Sequence, residues 1–284
     1  MNLSELGLFS EEVYQPFFWP GGPAAALLVH GFPGTPAEVR PLAAALHAQG
    51  WTVHAPLLPG FGPQIADMFT YGQEDWVTAV RQAQTQLRSQ YETVLLVGYS
   101  LGGAIALNIA AQEPPNALVL LAPFWQIGGP AIAAVWRGIR QLFPEIQFFK
   151  WIDFSNPQMQ RVFENWRDVL DLDDPQVQAA LQSLRVPARF VDEILALGQA
   201  AKAAAPTIHL PTLVIQGSQD ITIAPKATHE LMRSLGGQVH YHEFATGHEL
   251  TKTDTAVWPH IQRAFVAFAE QVRQGQTPNT TPDK

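Results

Sequence analysis

Six short apolar runs recur along the chain, and each is bounded by glycine, proline or polar residues. Runs of this length and composition are typical of buried strands. They are "AAALLV" (24–29), "TVHAP" (52–56), "TVLLVG" (93–98), "ALVLLAP" (117–123), "TLVIQG" (212–217) and "QVHYHEF" (238–244). Amphipathic stretches such as "AEVRPLAAALHAQG" and "EDWVTAVRQAQTQLRSQ" separate several of them. This alternation predicts an α/β fold, a mostly parallel sheet with helices on both faces.

One long segment breaks the alternation. Residues 124–205 are helix-like, poor in strands and rich in aromatic side chains. We interpret this segment as a helical cap inserted into a core that is built from residues 1–123 and 206–274. The core ends in a helical pattern, and the polar residues 275–284 that follow predict a disordered tail.

The stretch "LVGYSLGGAIAL" passes from a strand pattern to a helix pattern through Ser100, without a loop. Gly98 and Gly102 stand two residues to either side and remove side chains that would collide in so sharp a turn. The arrangement is the G-x-S-x-G nucleophile elbow, in which the serine backbone is expected to be strained. A glycine-rich turn of this kind also serves close packing or phosphate binding, so the motif alone leaves a structural role open.

A serine nucleophile needs a general base, and the base needs an acid that orients it. Asp220 follows the predicted strand at 212–217, and His248 follows the predicted strand at 238–244. The chain order is Ser, Asp, His, and each residue lies in a loop at a strand end. This is the order found in folds that carry the serine on a nucleophile elbow. Asp192 and Asp254 are rival acids; the first lies in the inserted segment, and the second is placed to cap a helix.

A serine that attacks a carbonyl group also needs N–H groups that face the developing oxyanion. The stretch "LVHGFPG" (28–34) follows the first strong strand pattern, and its Phe32 N–H is one candidate donor. The Leu101 N–H, at the start of the elbow helix, is the other. For His30 in the same loop we favour a structural role, in which its ring holds the loop by hydrogen bonds.

At this point the chain resembles the serine α/β-hydrolases, and more narrowly the bacterial carboxylesterase and monoacylglycerol lipase group. The pieces that carry the resemblance are "HGFPGTPAEVRPLAAAL", "GWTVHAPLLPGFG", "EDWVTAV", "VGYSLGG", "QGSQD" and "TGHEL", in family order. The resemblance implies an α/β-hydrolase fold with Ser100 as nucleophile, Asp220 as acid and His248 as base. It implies Phe32 and Leu101 as oxyanion donors. It does not specify the length or the aromatic content of the inserted segment.

Composition removes several other classes of function. The net charge is −8, with 17 basic residues and no basic cluster, which argues against nucleic-acid binding. No apolar run reaches the ~18 residues of a membrane helix, and the N-terminal residues lack a signal-peptide pattern, so we expect a cytoplasmic protein without membrane insertion. The chain has no cysteine, and its three His-Glu pairs lack the second histidine of H-E-x-x-H. We therefore expect neither a metal nor another cofactor.

The sequence thus favours hydrolysis of a small carboxylic ester through an acyl-enzyme. Carbon–carbon bond hydrolysis by the same triad, or a non-catalytic binding protein of the same fold, stays open as an alternative. Five aromatic residues of the inserted segment predict an apolar acyl pocket, suited to a medium-chain ester or a monoacylglycerol: Phe124, Trp125, Trp136, Phe143 and Phe148. The sequence does not distinguish a monomer from a homodimer.

Overall fold

The computed structural model describes residues 9–126, 134–136, 138, 140, 142–154, 156 and 171–276. In this part of the chain, seven strands form one sheet and two short strands form another. The strands are β1 (Phe17–Trp19), β2 (Ala24–Val29), β3 (Thr52–Ala55), β4 (Thr93–Tyr99), β5 (Ala117–Leu121), β6 (Glu145–Ile146), β7 (Val186–Pro187), β8 (Thr212–Gly217) and β9 (Val239–Phe244). All six predicted strands are thereby confirmed.

The main sheet has the strand order β1-β3-β2-β4-β5-β8-β9. Only β1 runs antiparallel to its neighbour, and every other pairing in this sheet is parallel. Every residue of β2, β5 and β8 is buried, as is all of β4 except Thr93. Strands buried on both faces are continuous apolar runs, which is why the sequence pattern found them. The three-residue β1 has a partly exposed pattern and was not predicted.

The α-helices of the described residues are α1 (Arg40–His47), α2 (Gln73–Arg88), α3 (Leu101–Gln112), α4 (Pro175–Ser183), α5 (Ala188–Ala204), α6 (Pro225–Ser234) and α7 (Trp258–Arg273). Helices α1 and α7 contact each other, while α2, α3 and α5 form a second packed group. The mostly parallel sheet flanked by helices is the predicted α/β architecture. None of the helices in the described ranges is long and apolar enough to cross a membrane.

The segment between β5 and β8 contains the small β6–β7 sheet and helices α4 and α5. Part of it has its own small core, made of Phe154, Leu172, Val177 and Leu181. Helix α5 differs, because its Leu197 and Ala201 belong to the main core and its Gly198 lies against the backbone of Trp125. Apart from its first two residues, the predicted tail at 275–284 lies outside the described residues.

We expect Gly198→Ala to destabilise the protein, although alanine is the better helix former. An added Cβ would lie 2.6 Å from the carbonyl oxygen of Trp125, a backbone atom that cannot move aside alone. Overpacking of this kind costs about 1–3 kcal/mol, more than the helix propensity returns. Thermal unfolding measures the effect, and Gly138→Ala, whose Cβ would meet no atom within 4 Å, is the control. Equal melting temperatures for the two variants would contradict the close packing of α5.

Candidate active site

Strand β4 passes into helix α3 through a single strained residue. Ser100 has φ 52° and ψ −115°, a conformation that L-residues rarely adopt and that costs about 1–3 kcal/mol. Its N–H donates to the Leu121 carbonyl, and its own carbonyl accepts the Phe124 N–H, both at 2.9 Å. A Cβ on Gly98 would lie 2.5 Å from the Gly102 carbonyl oxygen. The glycines therefore allow the turn, and the neighbouring strand end holds it.

The structure brings Asp220 and His248 together at the carboxyl end of the sheet. His248 Nδ1 lies 2.7 Å from Asp220 Oδ2, and both residues are buried. The other carboxylate oxygen, Oδ1, accepts the N–H groups of Thr222 and Ile223, each at 2.8 Å. Because a carboxylate only accepts, Nδ1 of His248 carries the proton and Nε2 is the acceptor atom of the neutral ring. This is the tautomer that a general base requires.

Gln216 supports the acid and was not found by sequence reasoning. Its side chain is fully buried, and its Nε2 donates to Asp220 Oδ2 at 3.0 Å and to the Ile223 carbonyl at 3.0 Å. Its Oε1 accepts the hydroxyl of the buried Thr228 at 2.5 Å. Asp220 thus accepts four hydrogen bonds, which fix both of its oxygens. A glutamine inside a strand pattern carries no signal of such a role.

Tyr99 fixes the position of the histidine relative to the elbow. The ring of Tyr99 stacks on that of His248, with centroids 5.3 Å apart and planes 26° apart. The Tyr99 hydroxyl donates to the His248 carbonyl at 2.8 Å. Since Tyr99 is the residue before Ser100, the nucleophile candidate and the base candidate share one supporting side chain.

The two candidate oxyanion donors come from adjacent segments. The start of α3 lies against the end of β2, because a Cβ on Gly102 would lie 2.3 Å from the Val29 carbonyl oxygen. Within the described residues, neither the Phe32 N–H nor the Leu101 N–H donates to another protein group. Two amides beside Ser100 are therefore free to bind an anion.

His30 holds this loop, as the sequence predicts. Its ring is fully buried; Nδ1 lies 2.9 Å from the Gly31 carbonyl oxygen, and Nε2 accepts the Leu58 N–H at 3.1 Å. One nitrogen donates and the other accepts, so the ring is neutral. Burial lowers its pKa to about 4, and the bond to Gly31 opposes that shift only in part.

A cavity of about 760 Å³ opens beside Ser100. Its wall includes Phe32, Leu101, Phe124 and Phe148 among the residues expected at the site. Most of the other described wall residues are apolar: Phe9, Pro33, Ala37, Pro41, Ile65, Met68, Phe69, Phe149, Leu181, Leu184, Val186, Phe190, Val191, Ile194 and Ile223. The wall also contains polar residues: Thr35, Glu38, Gln126, Thr222, Thr251, Lys252, Thr253 and Asp254.

Three of the five aromatic residues expected in an acyl pocket do not line this cavity. The indole N–H of Trp125 donates to the Ala227 carbonyl at 2.9 Å, and that of Trp136 donates to Asp192 at 2.9 Å. Phe143 is exposed at the surface. Buried indole rings turn toward a hydrogen-bond acceptor, and neither acceptor residue lines the cavity. We therefore do not retain Trp125, Trp136 and Phe143 as substrate-binding candidates.

The structure also places the two rival acids. Asp192 forms an ion pair with Arg140 and accepts the Trp136 indole N–H. Both of its carboxylate oxygens therefore bind partners within the inserted segment. Asp254 lines the cavity but does not cap the last helix, because α7 starts at Trp258 with Val257 as its N-cap. The expected capping role of Asp254 is wrong, since the N-cap lies three residues further along the chain.

Comparison with known proteins identifies the family. The family model described as "Serine aminopeptidase, S33" (Hydrolase_4) matches residues 23–254, which is most of the chain. The chain belongs to this family. It is a serine α/β-hydrolase, as the resemblance in its sequence predicts, and the matched region contains Ser100, Asp220 and His248.

Two relatives match shorter segments of this hydrolase. A thermostable monoacylglycerol lipase of Bacillus sp. (strain H-257) is 40% identical over 100 residues, which cover 35% of this chain and 40% of the lipase. A carboxylesterase of Bacillus subtilis (strain 168) is 38% identical over 106 residues, which cover 37% and 43% of the two chains. The match thus spans about two fifths of the length of these relatives.

Solved structures share the whole fold at low identity. The monoacylglycerol lipase of Paleococcus ferrophilus superposes with a TM-score of 0.66 at 19% identity, over 91% of this hydrolase and 99% of that chain. A structure from work on the metagenome-derived lipolytic enzymes LipS and LipT gives a TM-score of 0.68 at 21% identity, over 93% and 98%. Both confirm the α/β-hydrolase fold.

His30 makes the stability of this hydrolase depend on pH. Its pKa is lowered on folding, so its contribution is complete above about pH 6.5 and is lost as pH falls toward 4. We expect the difference in unfolding free energy between wild type and His30→Asn to shrink by about 2 kcal/mol from pH 7 to pH 4.5. Urea unfolding at both pH values measures it.

Glu38 also titrates near neutral pH, but it is present in both wild type and His30→Asn. Its contribution to the pH dependence therefore cancels from the difference in unfolding free energy. His260→Asn, at an exposed histidine, controls for the loss of an imidazole. A stability difference that stays the same at both pH values would show that His30 is not held neutral by the fold.

Proposed function

We propose that this protein hydrolyses carboxylic esters through an acyl-enzyme formed on Ser100. The observation that carries the proposal is the buried Asp220–His248 hydrogen bond of 2.7 Å, at the same sheet edge as the strained serine. A serine on an elbow, a histidine with its Nδ1 proton fixed, and a carboxylate that fixes it are the parts of a nucleophilic triad.

The proposed reaction has two halves. Ser100 Oγ attacks the ester carbonyl carbon while Nε2 of His248 takes the hydroxyl proton. The tetrahedral intermediate collapses, the carbon–oxygen bond to the alcohol breaks, and His248 gives its proton to the leaving oxygen. Water then attacks the acyl group by the same route and releases the acid, which restores the serine hydroxyl. Asp220 stays ionised and stabilises the imidazolium in both halves.

The free N–H groups of Phe32 and Leu101 are the proposed oxyanion hole. Their hydrogen bonds strengthen as negative charge develops on the carbonyl oxygen, so they act on the transition state more than on the bound ester. Loss of one such donor lowers kcat by about 10²- to 10³-fold in enzymes of this kind.

Ester substrates are supported by the names of two relatives, a monoacylglycerol lipase and a carboxylesterase. The cavity supports an apolar acyl group, because its walls are mainly aliphatic and aromatic side chains. We therefore propose medium-chain esters or monoacylglycerols as substrates, with Phe124 and Phe148 in contact with the acyl chain. In this proposal the segment 124–205 acts as the cap that closes the pocket.

The nucleophile is tested by covalent labelling. A fluorophosphonate should modify Ser100, as found by peptide mass mapping, and Ser100→Ala should lose at least about a thousandfold in esterase activity. Ser218→Ala, at an exposed serine in the loop after β8, is the matched control and should keep both label and activity. A label on another residue, or an active Ser100→Ala protein, would overturn the proposed function.

Acyl-chain preference tests the pocket. Each fully buried methylene contributes about 0.8 kcal/mol, or roughly a fourfold gain, so kcat/KM should rise from two carbons to about eight. Ile194→Trp, which fills part of the cavity from α5, should lower the rate on eight-carbon esters and leave acetate esters nearly unchanged.

Phe143→Leu, outside the cavity, is the control for this series and should keep the wild-type profile. Acetate esters cleaved fastest by the wild type would show that the cavity does not hold the acyl chain, while the triad would stand.

A further inference from the structure

A carboxyl group that the proposed reaction does not use lies in the wall of the catalytic cavity. Glu38 belongs to the 3-10 turn Pro36–Val39, and its Oε2 accepts the Gly31 N–H at 2.9 Å. The turn itself is held by the Glu38 N–H, which donates to the Thr35 carbonyl at 3.0 Å, and by Thr35 Oγ1, which accepts the Ala37 N–H. These hydrogen bonds fix the backbone of the turn, and the turn in turn fixes where the Glu38 side chain begins.

The carboxyl group lies across the loop that carries Phe32. A Cβ on Gly34 would fall 2.1 Å from the Glu38 carboxyl carbon, so the carboxyl occupies the space of a side chain at position 34. A Cβ on Gly31 would lie 3.4 Å from Glu38 Oε2 and 3.1 Å from the Cβ of Ser100. Residues 31–34 form a turn that is closed by a hydrogen bond from the Gly34 N–H to the Gly31 carbonyl. Glu38 thus lies against both ends of this turn.

The direction of the Phe32 N–H depends on the backbone of Gly31. In a trans peptide the N–H and the carbonyl point in opposite directions, so the Gly31 carbonyl sets the direction of the Phe32 N–H. The Gly34 N–H and the His30 ring hold that carbonyl, while Glu38 holds the N–H of the preceding peptide. Glycine has the widest choice of φ and ψ, so both constraints are needed to fix this residue.

We propose that Glu38 is a positioning residue of the oxyanion hole, which fixes the Phe32 N–H by accepting the Gly31 N–H. This inference rests on the proposed function, because it assigns Glu38 to the same reaction. Glu38 acts through Gly31 and Phe32, so its loss should slow the chemical step without weakening the binding of the ester.

The role belongs to the oxygen acceptor and not to the charge. Burial raises the pKa of Glu38 to about 7, while the Gly31 hydrogen bond and the charge of a protonated His248 act to lower it. The group therefore changes its ionisation near neutral pH, and in both states one carboxyl oxygen can accept an N–H. Glutamine keeps an oxygen acceptor at the same place, whereas methionine keeps the length and loses the acceptor.

The test compares Glu38→Gln with Glu38→Met in two assays, ester hydrolysis and the second-order rate of Ser100 labelling by a fluorophosphonate. Labelling also builds negative charge on an oxygen beside Ser100, and it needs no knowledge of the natural ester. We expect Glu38→Gln to stay within about threefold of wild type in both assays. Glu38→Met should lose about 10- to 100-fold in kcat and in labelling rate, with KM within about twofold.

Glu193 provides a matched control elsewhere in the molecule. Its Oε2 accepts the Gln73 N–H at 3.1 Å, so Glu193→Met removes the same kind of bond at a site that does not line the cavity. This variant should keep the wild-type kcat and labelling rate. If Glu38→Met does not fold, as judged by thermal unfolding, Glu38→Ala replaces it with the same expectation.

Each other outcome overturns the inference. Wild-type rates in Glu38→Met show that the Gly31 bond is dispensable, and equal losses in the Gln and Met variants show that something other than the acceptor matters. A raised KM with an unchanged kcat makes Glu38 a binding residue instead. A wild-type protein that takes no label on Ser100 overturns the proposed function, and this inference with it.

Discussion

The left-handed backbone at Ser100 is the constraint on which the rest of the site depends. It is held by hydrogen bonds to β5 and to the residues just after that strand, not by the serine side chain. Ala122, the residue after β5, also has a positive φ of 41°, so two neighbouring strands end in strained turns. Strain of this kind persists only where the surrounding packing over-determines it. Here that packing is the buried centre of a parallel sheet.

A chain of buried polar groups extends from the elbow to helix α6. The Thr228 hydroxyl donates a hydrogen bond to Gln216, and the Gln216 amide donates one to Asp220. Asp220 accepts a hydrogen bond from the His248 ring, and the His248 carbonyl accepts one from the Tyr99 hydroxyl. In a low-dielectric interior each of these groups costs free energy unless it is paired, and the pairing found here fixes their geometry. The orientation of the proposed base is thus a property of the network more than of any one contact.

The sequence was informative where a role depends on neighbours in the chain. Apolar runs located the buried strands, and Ser100, Asp220 and His248 were chosen as triad candidates because each follows one of those runs. The roles that it missed depend on contacts between distant segments. Gln216 acts on Asp220 through a side chain that points into the fold, and the Trp125 indole N–H is bound by a carbonyl 102 residues away. Aromatic content alone does not tell which way a ring turns.

Helix α5 links the pocket to the core, and this limits how the pocket can vary. Phe190 stands in the cavity wall and its ring lies 5.0 Å from that of Phe69 and 5.9 Å from those of Phe32 and Trp76. About two turns further along, the same helix packs on α3, where the Leu197 carbonyl accepts the side-chain N–H of Asn108, while Gly198 lies against the backbone of Trp125. A change in this wall would therefore disturb the helix that begins at the elbow. The wall residues Phe149 and Leu181 pack instead in or against the smaller core. We therefore expect the proposed chain-length preference to vary at lower cost at these two positions.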